Sequence, residues 1–208
     1  MSNINDKIKI GIIIGSTRQG RFSDKPAYWL QQELEQWNAV EATIIDLRDH
    51  ELPFFDEPVS PMRTNKQYNN PRVQQWADII EAADAFIMIT PEYNHGYTAV
   101  LKNALDHLYY EWNNKPVGFV SFGSVGGARV IEQMRQVVIE LKMLPIKNAI
   151  HIPVPVYFAT MNLNATEAAP VFSKALRKDS WRDELGDFVN ELVHLTTHTH
   201  SLRTPQTA

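Results

Sequence analysis

Short apolar runs alternate along the chain with segments of helical periodicity. Ile8–Ile14 is an almost continuous apolar run that ends at Gly15. Such a run is typical of a strand covered on both faces within a parallel sheet. Similar runs predict four further strands, at 40–45, 85–89, 117–122 and 149–156. Because Pro153 and Pro155 cannot donate to a sheet ladder, we expect the last strand at a sheet edge.

Apolar residues spaced three or four positions apart predict a helix after each of these strands. The first helix is expected near Pro26, since proline suits a first helical turn. The other helices are predicted around Trp76, Leu105, Met134 and Phe188. Strands and helices that alternate in this way imply right-handed crossovers. We therefore expect an α/β fold, a flavodoxin-like three-layer sandwich whose five-stranded parallel sheet carries helices on both faces.

The chain of 208 residues has the length of one domain. We expect a single domain over 1–208, with its core at about 7–156, a C-terminal helix at about 179–197 and a flexible tail after that helix. Two long stretches, 53–71 and 162–179, fit neither strand nor helix patterns, and both are predicted to be surface connections.

Composition argues against several classes of function. The formal net charge of -4 leaves no basic field for a nucleic acid or an anionic membrane, and the absence of cysteine removes thiolate chemistry. Residues 1–7 do not resemble a signal peptide, and no apolar run approaches the roughly 20 residues of a membrane span. We expect a cytoplasmic protein without nucleic-acid or membrane partners, in which any redox chemistry comes from a cofactor.

Two further groups of residues have structural interpretations. His194, His198 and His200 lie near the chain end without a carboxylate between them, so we expect no metal site. Several of the five tryptophans fall at apolar helical positions, which favours packing in the core or at an interface.

The loop after the first strand carries anion-binding chemistry. Hydroxyls and guanidinium groups stand where a helix is about to begin, and a helix N-terminus attracts phosphate. The candidates are Ser16, Thr17, Arg18 and Ser23. The glycines of a dinucleotide fingerprint are absent, and Arg21-Phe22 replaces the Lys and hydroxyl that a phosphate-loop NTPase requires. A solvated turn with a helix cap is the alternative interpretation.

The loop after the third strand completes a recognisable pair of motifs. It reads Pro-Glu-Tyr-Asn at 91–94 and leads into Leu-Lys-Asn-Ala-Leu-Asp at 101–106, while Gly-Ser-Thr-Arg occupies 15–18. Together these motifs resemble the NADPH-dependent FMN reductase family over roughly residues 7–156. In parallel α/β sheets such loops meet at the carboxyl edge of the strands, where ligands bind.

The resemblance implies roles for individual residues. The FMN phosphate would contact Ser16, Thr17 and Arg18, with Ser23 as a further anion ligand. The isoalloxazine ring would lie against Pro91, Glu92, Tyr93 and Asn94. The glycine-rich loop after the fourth strand would flank the ring edges with Gly123, Ser124, Gly126 and Gly127.

Two residues are candidates for the substrate side. His95 could donate to a substrate carbonyl or the flavin, or be a rim histidine bonded to backbone. Arg129 could contact the 2'-phosphate of the nicotinamide cofactor or form a surface salt bridge.

The resemblance also implies an activity. Bound FMN would take hydride from NADPH or NADH and pass it to a flavin, a quinone or a similar small acceptor in a ping-pong cycle. A homodimer or homotetramer is implied as well. A non-enzymatic electron carrier and a flavin-sensing interaction module remain alternatives.

Overall fold

The computed structural model describes residues 7–176 and 183–202, and it confirms the predicted fold. Five strands form a parallel sheet in the order β2-β1-β3-β4-β5. They are β1 (Ile8–Ile14), β2 (Val40–Asp46), β3 (Ala85–Pro91), β4 (Pro116–Phe122) and β5 (Leu144–Ile152). The first four agree with the predicted bounds to within two residues.

Helices cover both faces of this sheet. They are α1 (Asp24–Leu34), α2 (Pro71–Ala82), α3 (Ala99–Asp106), α4 (Ala128–Glu140), α5 (Val154–Thr160), α6 (Ala165–Leu176) and α7 (Glu184–Thr199). Side chains of a strand alternate between faces, so Ile12 packs with α1, α6 and α7, and Ile13 packs with α2, α3 and α4. Trp29, Trp76 and Trp112 are buried in these two layers, as predicted.

The prediction for the fifth strand is wrong in its bounds. β5 spans Leu144–Ile152 instead of 149–156, although it does lie at the sheet edge. Pro153 is the N-cap of α5, and Pro155 lies in its first turn. Proline is tolerated there because the first amides of a helix have no intrahelical partner. The two prolines therefore start a helix instead of marking an edge strand.

The prediction of a connection at 162–179 is also wrong. Residues Ala165–Leu176 form α6, and Ala168, Phe172 and Leu176, spaced by four, form its buried stripe. This stripe packs on α1, where the rings of Trp29 and Phe172 lie 5.5 Å apart. The predicted connection at 53–71 is confirmed, with one short 3₁₀ turn at Pro61–Arg63.

The C-terminal helix is confirmed as α7. Its predicted start at 179 lies outside the described residues. The predicted change to a flexible tail after about residue 197 is wrong for the next five residues, because α7 continues to Thr199 and a 3₁₀ turn follows at His200–Leu202. The rest of the predicted tail lies outside the described residues. Among the helices within 7–176 and 183–202, none is long and apolar enough to cross a membrane.

Candidate functional site

A cavity of about 480 Å³ opens where β1, β3 and β4 end. The strand order reverses between β1 and β3, which is where ligands bind in sheets of this topology. Three loops and helix α5 provide its walls. The lining residues are Ser16, Arg18, Gly20, Arg21, Phe22, Ser23, Pro91, Glu92, Tyr93, Phe122, Gly123, Ser124, Val154, Tyr157 and Phe158.

The loop after β1 contributes hydroxyl groups at the start of α1. Ser23 is the N-cap residue of α1 and is fully buried, yet its Oγ has no hydrogen-bond partner. Ser16 is also buried, and its Oγ lies 3.2 Å from the hydroxyl of Tyr93. Buried hydroxyls are normally paired, so the free Ser23 hydroxyl is a feature that a bound acceptor atom would satisfy.

A buried ion pair that the sequence patterns did not reveal anchors this loop. The guanidinium of Arg21 binds both carboxylate oxygens of Asp46, the last residue of β2. Burial alone would lower the pKa of Arg21 and raise that of Asp46, but the hydrogen bonds between them raise the first pKa and lower the second. Both groups are therefore held in their charged forms.

The loop after β3 is a tight hairpin-like turn. Tyr93 and Gly96 exchange two backbone hydrogen bonds of 3.0 Å, and Asn94 and His95 between them have φ values of 52° and 73°. Positive φ at both central positions defines a type I′ turn, for which asparagine is suited. Asn94 and His95 are exposed at its tip and do not line the cavity, whereas Tyr93 does.

The side chain of Glu92, which lines the cavity, is engaged in an ion pair with Arg129. Its side chain is 3% exposed. The carboxylate accepts from Nε of Arg129 at 2.7 Å and from the Arg129 backbone N–H at 3.2 Å, in the first turn of α4. Burial would raise the pKa of Glu92, but the hydrogen bonds from Arg129 hold it below its ordinary value. Of the two roles open to Arg129, the structure shows the salt bridge.

The glycine-rich loop after β4 divides into lining and shaping residues. Gly123 and Ser124 line the cavity. Gly126 and Gly127 have φ values of 69° and 76° and form the turn into α4. A Cβ at Gly127 would lie 2.6 Å from the Cβ of Ser121, so this position requires glycine for space as well as for conformation.

An aromatic cluster that joins the loop after β1 and the end of β4 to α5 was also missed. The ring of Phe22 lies 4.8 Å from that of Phe122 and 4.6 Å from that of Tyr157 on α5. Phe158, also on α5, lines the cavity and is 65% exposed. α5 brings Tyr157 and Phe158 to the site because the helix begins at Val154, which itself lines the cavity.

A second cavity, of about 440 Å³, adjoins the first. Ser16, Arg18 and Tyr93 line both cavities, and Thr17 lines only the second.

Eight of the predicted residues converge on the first cavity. They are Ser16, Arg18, Ser23, Pro91, Glu92, Tyr93, Gly123 and Ser124.

The arrangement suits a ligand with an anionic end and a planar ring. Hydroxyl groups and the N-terminus of α1 line the cavity together with aromatic rings and the glycine-rich loop after β4. The volume is within the roughly 300–1,000 Å³ of small-molecule sites. In the part of the chain that the structure describes, no three His, Asp or Glu side chains are grouped to hold a metal ion.

Comparison with known proteins agrees with this geometry. The model of a family described as NADPH-dependent FMN reductase matches residues 8–154. An NAD(P)H-dependent FMN reductase of Schizosaccharomyces pombe is 40% identical over 135 residues, which cover 65% of this chain and 68% of that protein. The corresponding Saccharomyces cerevisiae enzyme is 34% identical over 157 residues, covering 71% and 82%.

A solved structure shares the fold. FerB, a flavoenzyme NAD(P)H:(acceptor) oxidoreductase from Paracoccus denitrificans, has a TM-score of 0.64 at 21% identity, with 92% of this chain and 98% of that chain covered. The family match covers well over half of the present chain. The chain therefore belongs to the NADPH-dependent FMN reductase family, whose oxidoreductases use FMN with NAD(P)H as the electron donor.

Proposed function

We propose that the larger cavity holds FMN, with its phosphate at the loop after β1 and its ring between the loops after β3 and β4. The buried Ser23 hydroxyl without a partner, at the N-terminus of α1, carries this proposal. Ser16 and Arg18 supply further donors at the same end. A phosphate monoester satisfies such donors and is favoured by the helix dipole.

The proposed ring end of the site carries little net charge. Pro91, Tyr93, Gly123 and Ser124 line it, and the Glu92 carboxylate beside them is neutralised by Arg129. Because its negative charge is paired, Glu92 does not repel an electron-rich ring and is held unprotonated, so it does not act as a proton donor.

The reaction we propose is hydride transfer from NADPH or NADH to a small planar acceptor such as a quinone or a free flavin. FMN supplies the hydride chemistry when bound, so donor and acceptor use one site in turn. The protein contributes position and electrostatics. The second cavity, across Tyr93 and Arg18, gives a nicotinamide or acceptor ring room beside the first.

We further propose that residues 1–208 form one domain that assembles as a homodimer or homotetramer. Apolar side chains in the 53–71 connection support an interface there, since Phe54 is 81% exposed and Met62 is 46% exposed.

FMN titration of the purified protein, followed by quenching of flavin fluorescence, tests the binding proposal. We expect saturable binding by the wild type and a dissociation constant raised about ten-fold or more in Ser23→Ala, because a hydrogen bond to a charged phosphate is lost. Ser60→Ala, at an exposed serine that does not line the cavity, serves as the control. Equal binding by Ser23→Ala and wild type would contradict the assignment of the phosphate end.

Initial rates with NADPH and menadione test the reaction. A ping-pong cycle gives parallel lines in double-reciprocal plots at several menadione concentrations, and intersecting lines would contradict it. An electron carrier or a flavin-sensing module would bind FMN without sustained NADPH oxidation, so the same assay distinguishes the alternatives.

A further inference from the structure

Arg21, in the loop after β1, is fixed by contacts that originate in a neighbouring strand. Its side chain is 6% exposed, and that of Asp46 is 17% exposed. Nη1 of Arg21 donates to Oδ1 of Asp46 at 2.6 Å and to the carbonyl oxygen of Ser16 at 2.8 Å, while Nη2 donates to Oδ2 of Asp46. Arg21 therefore joins the carbonyl of Ser16, early in the loop, to Asp46 at the end of β2.

A second arginine extends the same arrangement. Nε of Arg48 donates to the carbonyl oxygen of Thr17 at 3.3 Å, and its Nη2 donates to that of Arg18. The backbone N–H of Arg48 donates to Oδ1 of Asp46 at 2.9 Å. Asp46 therefore organises both arginines, and together they bind the carbonyls of three successive loop residues.

Pairing of the loop carbonyls with arginines favours binding of an anion at this loop. Carbonyl oxygens repel a phosphate, and here those of Ser16, Thr17 and Arg18 are paired with guanidinium groups. In a planar trans peptide the N–H is directed opposite to the C=O, so each fixed carbonyl turns the next amide away from the arginines. Successive amides turned in this way form anion-binding concavities.

Two donors at this end of the cavity remain unmet. Nε of Arg21 and Oγ of Ser23 are both buried and have no hydrogen-bond partner, and both residues line the cavity. Leaving such groups unpaired costs free energy, which a phosphate oxygen can offset.

Building on the proposed FMN site, we infer that Asp46 and Arg21 are positioning residues for the phosphate of FMN. Asp46 orients Arg21, and the two hold the loop at 16–23 in its ligand-binding shape before the cofactor arrives. The pair thus determines the selectivity of the site for a phosphorylated flavin over an unphosphorylated one.

Binding of FMN and riboflavin, which differ by the phosphate, separates this role from general stability. Both dissociation constants are measured for wild type, Asp46→Asn and Arg21→Lys. The lysine keeps the positive charge but lacks the planar fork that binds a carboxylate in bidentate fashion. Arg135→Gln is the matched control, because Arg135 also donates to two backbone carbonyls, of Ile146 and Lys147, away from the cavity.

We expect both variants to weaken FMN binding about ten-fold or more and riboflavin binding less than about two-fold, with Arg135→Gln leaving both unchanged. A smaller FMN effect, or an equal loss for riboflavin, would overturn the inference while leaving the FMN site intact. Wild-type protein that takes up neither flavin would overturn the proposed function itself. Should Asp46→Asn fail to fold, Arg21→Lys gives the same comparison.

Discussion

Two ion pairs at the cavity rim, Arg21–Asp46 and Glu92–Arg129, differ in which partner is the more buried. They are called here the first and the second anchor. In the loop after β1 the arginine is the more buried partner, since the Arg21 side chain is 6% exposed and that of Asp46 is 17% exposed. Between the loops after β3 and β4 the carboxylate is the buried partner, with Glu92 at 3% and Arg129 at 39%. The first anchor thus holds a guanidinium whose Nε has no partner beside the proposed phosphate, and the second pairs the negative charge that lies beside the proposed ring.

The loops beside the two anchors also differ in how much space surrounds a glycine. Gly20, in the loop after β1, has a φ of 62°, and a Cβ added there would have no atom within 4 Å. A Cβ at Gly127 would instead meet Ser121 and the backbone of Phe122 at under 3.0 Å. A side chain at Gly20 would therefore meet no steric obstacle, whereas the turn before α4 is confined by packing.

The largest effect is expected from Gly127→Ala. Both the positive φ and the clash must be relieved, so the free energy of unfolding should fall by about 3 kcal/mol or more, measured by urea denaturation. Gly20→Ala is the control in the looser loop, where only the conformational cost of about 1 kcal/mol applies. Equal losses in the free energy of unfolding for the two variants would contradict the difference in confinement.

Arg129→Ala is expected to have the next largest effect. It leaves the buried Glu92 carboxylate without its cation, which should lower the free energy of unfolding by about 2–3 kcal/mol, reduced from a fully buried pair because Arg129 is partly exposed. The double variant Arg129→Ala/Glu92→Gln removes the unpaired charge and should regain part of the loss. A double variant as unstable as Arg129→Ala would show that the charge is not the cause.

Asp46→Asn should cost less, about 1–2 kcal/mol by the same denaturation assay. Asparagine keeps one oxygen as an acceptor for Arg21, which also retains the carbonyl of Ser16. A loss greater than that of Arg129→Ala would reverse the ranking of the two anchors.

Acidification should weaken both anchors. The pKa values of Asp46 and Glu92 lie below their ordinary values in the folded protein, so each pair contributes stability above the unfolded pKa of about 4 and loses it as pH falls through the lower folded pKa. Denaturation between about pH 5 and pH 3 should show a smaller loss for Glu92→Gln than for wild type. Identical pH profiles would contradict the shift at Glu92.

The smallest effect on stability is expected from Phe158→Ala. Because Phe158 is 65% exposed, the free energy of unfolding should change by less than about 0.5 kcal/mol. The KM for menadione should rise about three-fold or more if the ring contacts planar acceptors at the cavity mouth. Ile139→Ala, at an apolar residue on α4 that is 61% exposed and does not line the cavity, should leave KM unchanged.

Sequence patterns predicted β1, β3 and β4 well because these strands are apolar runs that are largely buried on both faces. They gave wrong predictions where the same residue type is compatible with two kinds of secondary structure. Pro153 and Pro155 are equally compatible with an edge strand and a first helical turn, and in the structure they begin α5. In α6 the polar and alanine-rich exposed face, with Pro170 inside the helix, concealed a stripe of three buried residues.

The site was predictable where it is local in sequence. The loops after β1, β3 and β4 carry recognisable motifs, and eight predicted residues meet at the cavity. Asp46 and Tyr157 were missed because they come from the end of β2 and from the helix after β5, and their roles arise only from folding. An acidic residue at the end of β2, beside the loop after β1, was a signal that could have indicated a partner for Arg21.

Anaerobic titration of the FMN-loaded protein with NADPH, followed by absorbance, tests the central claim most directly. The account predicts stoichiometric bleaching of a protein-bound flavin, with return of the absorbance when menadione is added. A protein that remains colourless after incubation with excess FMN and gel filtration, or a bound flavin that NADPH does not bleach, would contradict it.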